Sequence, residues 1–263
     1  MKPRSHSYII LFLFFLALLY LLIPKLSFGQ PSVIEAIQNA LPAIVSVSAE
    51  DIKVVRSPHT GAAIDQSTGK IFLANDIVAA HRRRLGAGII IDPAGFIATN
   101  YHIIGNANTI TVTLSDGTTA KANVVSIFPQ NDLALLHINL SRDLPHVKFA
   151  NTNELTLGDE VLNVGHSQLL SHTISEGRIT GLSSSLAPEN NKSDYNFLRI
   201  NMNLYKGDSG GPLLNQHGQL VGLIMGGQQR KDRSSFAIPS NKIKTLYVEY
   251  CKVVKRTAKN EEN

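Results

Sequence analysis

Gly207-Asp208-Ser209-Gly210-Gly211-Pro212 sets one serine between glycines. Glycine lets the backbone turn sharply and brings its amide groups close to a ligand. A serine in such a turn is presented as a nucleophile. The N–H groups of Gly207 and Ser209 can then point at one developing oxyanion, as acyl transfer requires. The plain alternative is a glycine-rich hairpin with a surface serine. A hydroxyl is a weak nucleophile unless a base takes its proton and a third group orients the base. Both partners lie upstream: His102 ends Ala98-Thr99-Asn100-Tyr101-His102, and Asp132 opens Asp132-Leu133-Ala134-Leu135-Leu136.

The elements that must position these residues read as short strands. After Pro31–Pro42, where Val33, Ile34, Ile37 and Leu41 fall at helical spacing, β-rich runs recur between turn residues. The first series covers 43–49, 86–92, 96–100, 109–114, 121–128 and 132–138, with a hairpin signal at Asp116-Gly117. The second covers 146–150, 160–165, 173–182, 197–201, 219–225 and 234–238. A dozen short strands without a long internal helix predict an all-β fold, and two sets of six predict two six-stranded antiparallel barrels. Residues 30–140 would form the first barrel and 141–238 the second. His102 and Asp132 would come from the first and Ser209 from the second, placing the site in the cleft between them. Residues 51–85 read as a long polar loop, within which 71–77 is a candidate extra strand. From 239 a C-terminal helix and tail begin, with Ile243, Leu246, Tyr247 and Tyr250 on one helical face.

The chain has 263 residues, 43% hydrophobic, with one cysteine, no tryptophan and a net charge of +5. This composition excludes a wholly disordered chain, and the lone Cys251 excludes an intrachain disulfide framework. The basic runs His81–Arg84 and Lys252–Lys259 carry no interleaved aromatics and no nucleic-acid motif, so no nucleic-acid partner is expected. The remaining histidines show no metal-ligand spacing with Cys, Asp or Glu, and no metal or other cofactor is expected. Tyr8–Ile23 is an uncharged apolar run preceded by Lys2 and Arg4 and followed by Pro24-Lys25. It reads as an N-terminal hydrophobic helix, a signal anchor within residues 1–29 that tethers the chain to the membrane by a single pass. Cleavage near Gly29, releasing a secreted protein, is the other reading. On either one, residues 30–263 lie outside the cytoplasm.

The order His, Asp, Ser is that of the chymotrypsin-type triad, whereas subtilisin-like and α/β-hydrolase enzymes order the three differently. From Gly86 onward the chain resembles the HtrA/Deg family of trypsin-fold serine proteases. The segments that carry the resemblance are GAGIIIDPAGFIATNYHII (86–104), TITVTLSDGTTAKANVV (109–125), NDLALLHI (131–138), GDSGGPLLNQHGQLVGL (207–223) and SFAIPSNKIK (235–244). The resemblance spans roughly residues 31–247. It implies a serine endopeptidase without cofactor, with His102, Asp132 and Ser209 catalytic and protein or peptide substrates. It also implies an extracytoplasmic, periplasmic setting and a homo-trimer.

Several positions depart from that pattern. Asp208 stands where the family usually has Asn, and Gly165-His166-Ser167 where it usually has Gly-Asn-Pro. The chain is expected to lack the PDZ domain that usually follows. Asn203 sits where a trypsin-like enzyme carries the acid of its specificity pocket, so preference for Lys or Arg is not expected. Leu223, Ile224, Met225, Gly226 and Gly227 would line the pocket and favour small or aliphatic side chains. A catalytically idle trypsin-fold scaffold that binds peptides is the alternative function.

Overall fold

In the computed structural model the chain is described over residues 33–56, 62–64, 71–73, 77–166, 172–184, 197–205, 207–226 and 234–261. The expected N-terminal hydrophobic helix lies outside the described residues. Helix α1 (Val33–Ala40) is followed by a 3-10 turn at Leu41–Ala43, where Pro42 has no N–H to continue the helix. Its buried residues are Ala36, Ile37 and Ala40, while Ile34 is 68% exposed. Of the face expected from Val33, Ile34, Ile37 and Leu41, Ile37 is buried and Leu41 packs against the core, while Val33 and Ile34 stay exposed. A Cβ on Gly218 would stand 2.5 Å from Ala36 O, so this side of the helix lies against the turn that carries Gly218.

Strands β1 (Ile44–Arg56) and β4 (Ile77–Asp92) pair antiparallel from Ile44↔Ile89 to Arg56↔Ile77. The short strands β2 (Ala62–Ile64) and β3 (Ile71–Leu73) pair with each other between them. Much of the stretch read as a polar loop is thus a long two-stranded ribbon. Its polar residues hid the strand pattern because both strands carry charge across the pair: Arg83 meets Glu50 at 3.5 Å, and Arg84 meets Asp51 at 3.3 Å.

The first sheet continues through β5 (Phe96–Asn100), β6 (Thr109–Thr113), β7 (Thr119–Lys121), β8 (Asn123–Phe128) and β9 (Leu133–His137). Its order is β7-β6-β1-β4-β5-β9-β8, seven strands where six were expected, and it forms an open half-barrel. The run 121–128 divides at Ala122: Lys121 belongs to β7 beside β6, Asn123–Phe128 form β8 beside β9, and β7 and β8 stand on opposite edges. The second sheet comprises β10 (Glu160–His166), β11 (His172–Ser184), β12 (Phe197–Asn201), β13 (Pro212–Leu214), β14 (Leu220–Ile224) and β15 (Ser234–Pro239). It closes as a six-stranded barrel in the order β10-β11-β12-β15-β14-β13. Here β13 supplies the sixth strand. The expected strand at 146–150 is extended chain with one bridge, Phe149↔Leu220.

One apolar cluster joins the sheets, running from Ile44, Ile89, Ile97 and Leu135 of the first to Val164, Leu220, Leu223 and Ile238 of the second. The inward side of the second barrel holds a smaller cluster around Ile179, Ile200, Leu213 and Val221. Helix α3 (Ser240–Glu261) starts with Ser240 Oγ donating to Ala150 O at 2.9 Å. It buries Ile243 and packs Leu246, Tyr247 and Tyr250 against the larger cluster, the face expected from spacing. Phe96 of the first sheet lies 5.1 Å from Tyr247 and 5.9 Å from Tyr250 between ring centroids.

Candidate active site

Strands β5 and β9 are neighbours, with Asn100 opposite Leu133. That register sets the exit of β5 beside the entry to β9, so residues thirty apart in sequence meet. Helix α2 (Tyr101–Ile104), a single turn, leaves β5 and ends at Gly105, whose φ of +46° suits glycine. Asp132 closes the 3-10 turn at Pro129–Asn131 with φ +50°, a left-handed conformation that Asp tolerates better than most residues. Its carboxylate reaches His102 twice: Oδ2 lies 2.7 Å from Nδ1, and Oδ1 accepts the backbone N–H at 2.9 Å. The backbone is tied as well, because Tyr101 N–H and the Asn100 side chain both donate to Asp132 O, at 3.0 and 3.1 Å. His102 is about half exposed and Asp132 mostly covered. Nε2 is then the ring nitrogen free to act on a substrate or a nucleophile.

Ser209 precedes β13 in a loop hung between both sheets. Its carbonyl accepts Ala87 N–H of β4 at 2.8 Å, and Gly210 N–H donates to Ile224 O at 2.9 Å. Gly210 has φ +79°, and a side chain there would collide with Ala87 O. Asp208 N–H bonds Tyr205 O and Gly211 N–H bonds Asp208 O. Among the described residues, the N–H groups of Gly207 and Ser209 have no acceptor, and these are the two donors expected to serve an oxyanion. Ser209 Oγ and His102 Nε2 are not hydrogen-bonded to each other. The backbone of Gly226 lies over the hydroxyl: a Cβ there would sit 2.6 Å from Ser209 Oγ.

Asp208 is 1% exposed, and its Oδ2 accepts Tyr205 N–H at 2.6 Å. Burial pushes its carboxyl above the ordinary 3.8, partly opposed by that N–H and by the nearby Asn163 carboxamide. Asn163 is itself fully buried, and among the described residues neither of its side-chain polar atoms has a partner of hydrogen-bonding geometry.

The residues expected to line the specificity pocket divide. Asn203 is exposed, and Met225 and Gly226 are partly exposed. Leu223 and Ile224 are fully buried, one in each apolar cluster, so their side chains belong to the core and not to a substrate-facing wall. The alternation of β14 cannot expose them, because all five of its residues are covered. Gly227 lies outside the described residues. Among the described residues, no cluster of three or more His, Cys, Asp or Glu side chains could hold a metal ion.

Sequence reasoning passed over three supporting groups. Thr99 Oγ1 donates to Ala87 O at 2.7 Å, Asn100 holds Asp132, and Arg84 donates to Ile103 O and Ile104 O. Thr99 and Asn100 adjoin the His102 motif and could have been read as its frame; Arg84 lies too far upstream to carry such a signal.

The family described as the trypsin-like peptidase domain matches residues 86–223, a stretch that contains His102, Asp132 and Ser209. The chain belongs to this family. Among its relatives, the periplasmic serine endoprotease DegP of Salmonella typhimurium is 31% identical, over 85% of this chain and 52% of that protein. The periplasmic pH-dependent serine endoprotease DegQ of Escherichia coli is 32% identical, over 82% and 47%. A probable DegP-like periplasmic serine endoprotease of Pseudomonas fluorescens is 36% identical, over 61% and 35%. The chain thus spans about half the length of the curated DegP and DegQ relatives it matches. These are proteins of the HtrA/Deg group that the motifs resemble, and the trypsin-like fold accounts for both sheets described above.

Proposed function

We propose that the chain is an extracytoplasmic serine endopeptidase that cleaves unfolded or regulatory proteins. The observation that carries this reading is the 2.7 Å contact between His102 Nδ1 and Asp132 Oδ2, which leaves Nε2 to act as base in a family of peptidases. His102 acts as general base toward Ser209, whose Oγ attacks the peptide carbonyl carbon. Asp132 keeps the proton on Nδ1 and stabilises the imidazolium. The N–H groups of Gly207 and Ser209, which have no backbone acceptor among the described residues, receive the oxyanion. His102 then protonates the leaving amine, and water enters by the same route to release the acyl group. Closing the gap between Ser209 Oγ and His102 falls to the substrate complex, where such contacts commonly tighten. Ser209→Ala is expected to abolish cleavage of casein, and cleavage retained at the wild-type level overturns the assignment.

That same gap favours the second reading, an idle trypsin-fold scaffold that binds peptides. A fluorophosphonate probe separates the two, since only an activated serine is labelled. For specificity we propose small or aliphatic side chains at the cleaved position: Asn203 offers no acid to bind Lys or Arg, and Met225 and Gly226 of the expected wall stay partly exposed. A dominant cut after Lys or Arg in a denatured protein would refute this. The relatives' names support a periplasmic setting. Tethering through Tyr8–Ile23 is the placement we propose, checked by whether the mature protein begins at Met1 or near Gln30. No helix among the described residues is long and apolar enough to cross a membrane. A homo-trimer is the proposed assembly, and a monomer by light scattering would exclude it.

A further inference from the structure

The helix that carries His102 is only one turn long, too short to hold its own orientation by internal bonds. Its last carbonyls would be left without helical partners. Arg84 of β4 meets them: Nε donates to Ile103 O and Nη2 to Ile104 O, both at 2.7 Å. Its third arm, Nη1, reaches Asp51 Oδ2 of β1 at 3.3 Å. Asp51 is 8% exposed, and among the described residues its other oxygen has no partner, so the carboxylate is committed to this arginine. A Cβ on Gly105 would stand 3.1 Å from the guanidinium, so the glycine that ends the helix also gives the arginine room.

Two residues along the same strand, Gly86 passes between Ile103 and Ser209 O, with no space for a side chain against Ile103. One residue further, Ala87 N–H holds Ser209 O. A four-residue stretch of β4 therefore touches the histidine's helix at one end and the serine's loop at the other.

We infer that Arg84, seated on Asp51, is a positioning residue that sets the place of His102 relative to Ser209. The inference rests on the proposed roles of those two residues. A guanidinium suits the task because its planar fork offers donors in fixed directions, whereas lysine brings the same charge to a single point. Arg84→Lys therefore keeps the charge and removes the fork. The adjacent Arg83, exposed and bonded to Ser48 Oγ at 2.9 Å, is the control on the same strand.

Two readouts test this in the full chain, both taken well below the unfolding midpoint of each variant. One is the rate of fluorophosphonate labelling of Ser209, with kcat and KM on a peptide substrate. The other is the downfield Nδ1–H resonance of His102, which reports its bond to Asp132 whether or not the protein cleaves anything. Arg84→Lys is expected to slow labelling and lower kcat ~10- to 100-fold with little change in KM, as a displacement near 1 Å would do, and to shift or broaden the resonance. Arg83→Lys should change neither. Asp51→Asn, which loosens the seat and keeps the arginine, should lose several-fold in the same readouts and serves if Arg84→Lys does not fold. An unchanged resonance and rate in Arg84→Lys, or an equal loss in Arg83→Lys, overturns the inference. An unlabelled wild-type protein defeats the protease reading, and the resonance still decides the clamp.

Discussion

Asp208 occupies a position beside Ser209 where the resembling family usually carries Asn, and its surroundings suit a neutral side chain. It is buried, receives one backbone N–H, and faces the Asn163 carboxamide. A carboxyl whose folded-state value lies above 3.8 favours the fold while protonated. That contribution is lost as pH rises from the ordinary value through the raised one, so at neutral pH the ionised form works against folding. Asp208→Asn keeps an acceptor for Tyr205 N–H and removes the charge. Thermal melts should show a rise of about 2–4 °C at neutral pH, equivalent to ~1 kcal/mol for a chain of this size. The gain should fade as the pH drops toward the ordinary carboxyl value. Equal midpoints at neutral pH, or a gain that persists in acid, would show that the charge is not the cause.

At the scale of elements, β4 is the strand on which the site depends. It pairs with β1 along its length, carries Arg84 toward the His102 helix, and holds the Ser209 loop through Ala87. The close approach at Ala87 requires Gly210, whose φ is +79° and whose missing side chain lets the loop reach the strand. Gly210→Ala should destabilise the protein by at least ~1–3 kcal/mol from backbone strain alone. Fluorophosphonate labelling should fall further than that stability loss explains, since the loop can no longer seat on β4. A variant that melts and labels like the wild type would mean that Ala87 does not hold the loop. The glycine frame around Ser209 was legible in sequence because glycine has local backbone consequences. The partner strand was not, because nothing in residues 84–87 announces what will lie against them.

For the molecule as a whole, the two sheets share one apolar cluster, and α3 strengthens the join by packing Ile243 and its aromatic face against it. Cores continuous in this way unfold together. Heating should therefore give a single transition for residues 33–263, coincident by far-ultraviolet circular dichroism and by tyrosine fluorescence. Ile243→Ala should lower its midpoint through a loss of ~2–5 kcal/mol without splitting it. Two separated transitions would show that the halves are independent.

Local chemistry determined much of this protein at the level of sequence. The glycine-framed serine, the order of His102, Asp132 and Ser209, the strand rhythm and the apolar face of α3 all follow from residue type and spacing. Tertiary structure decided what depends on contact between distant segments. It opened the first sheet into seven strands, because the one run 121–128 pairs with β6 at its start and with β9 over the rest. It made a ribbon of a stretch that reads as loop, because β1 and β4 pair antiparallel along their length, from Ile44↔Ile89 to Arg56↔Ile77. It turned Leu223 and Ile224 into the core, because both faces of β14 are covered. And it brought Arg84 and Asp51 to the carbonyl end of the histidine's helix, a contact encoded by no motif because the register of β1 against β4 creates it.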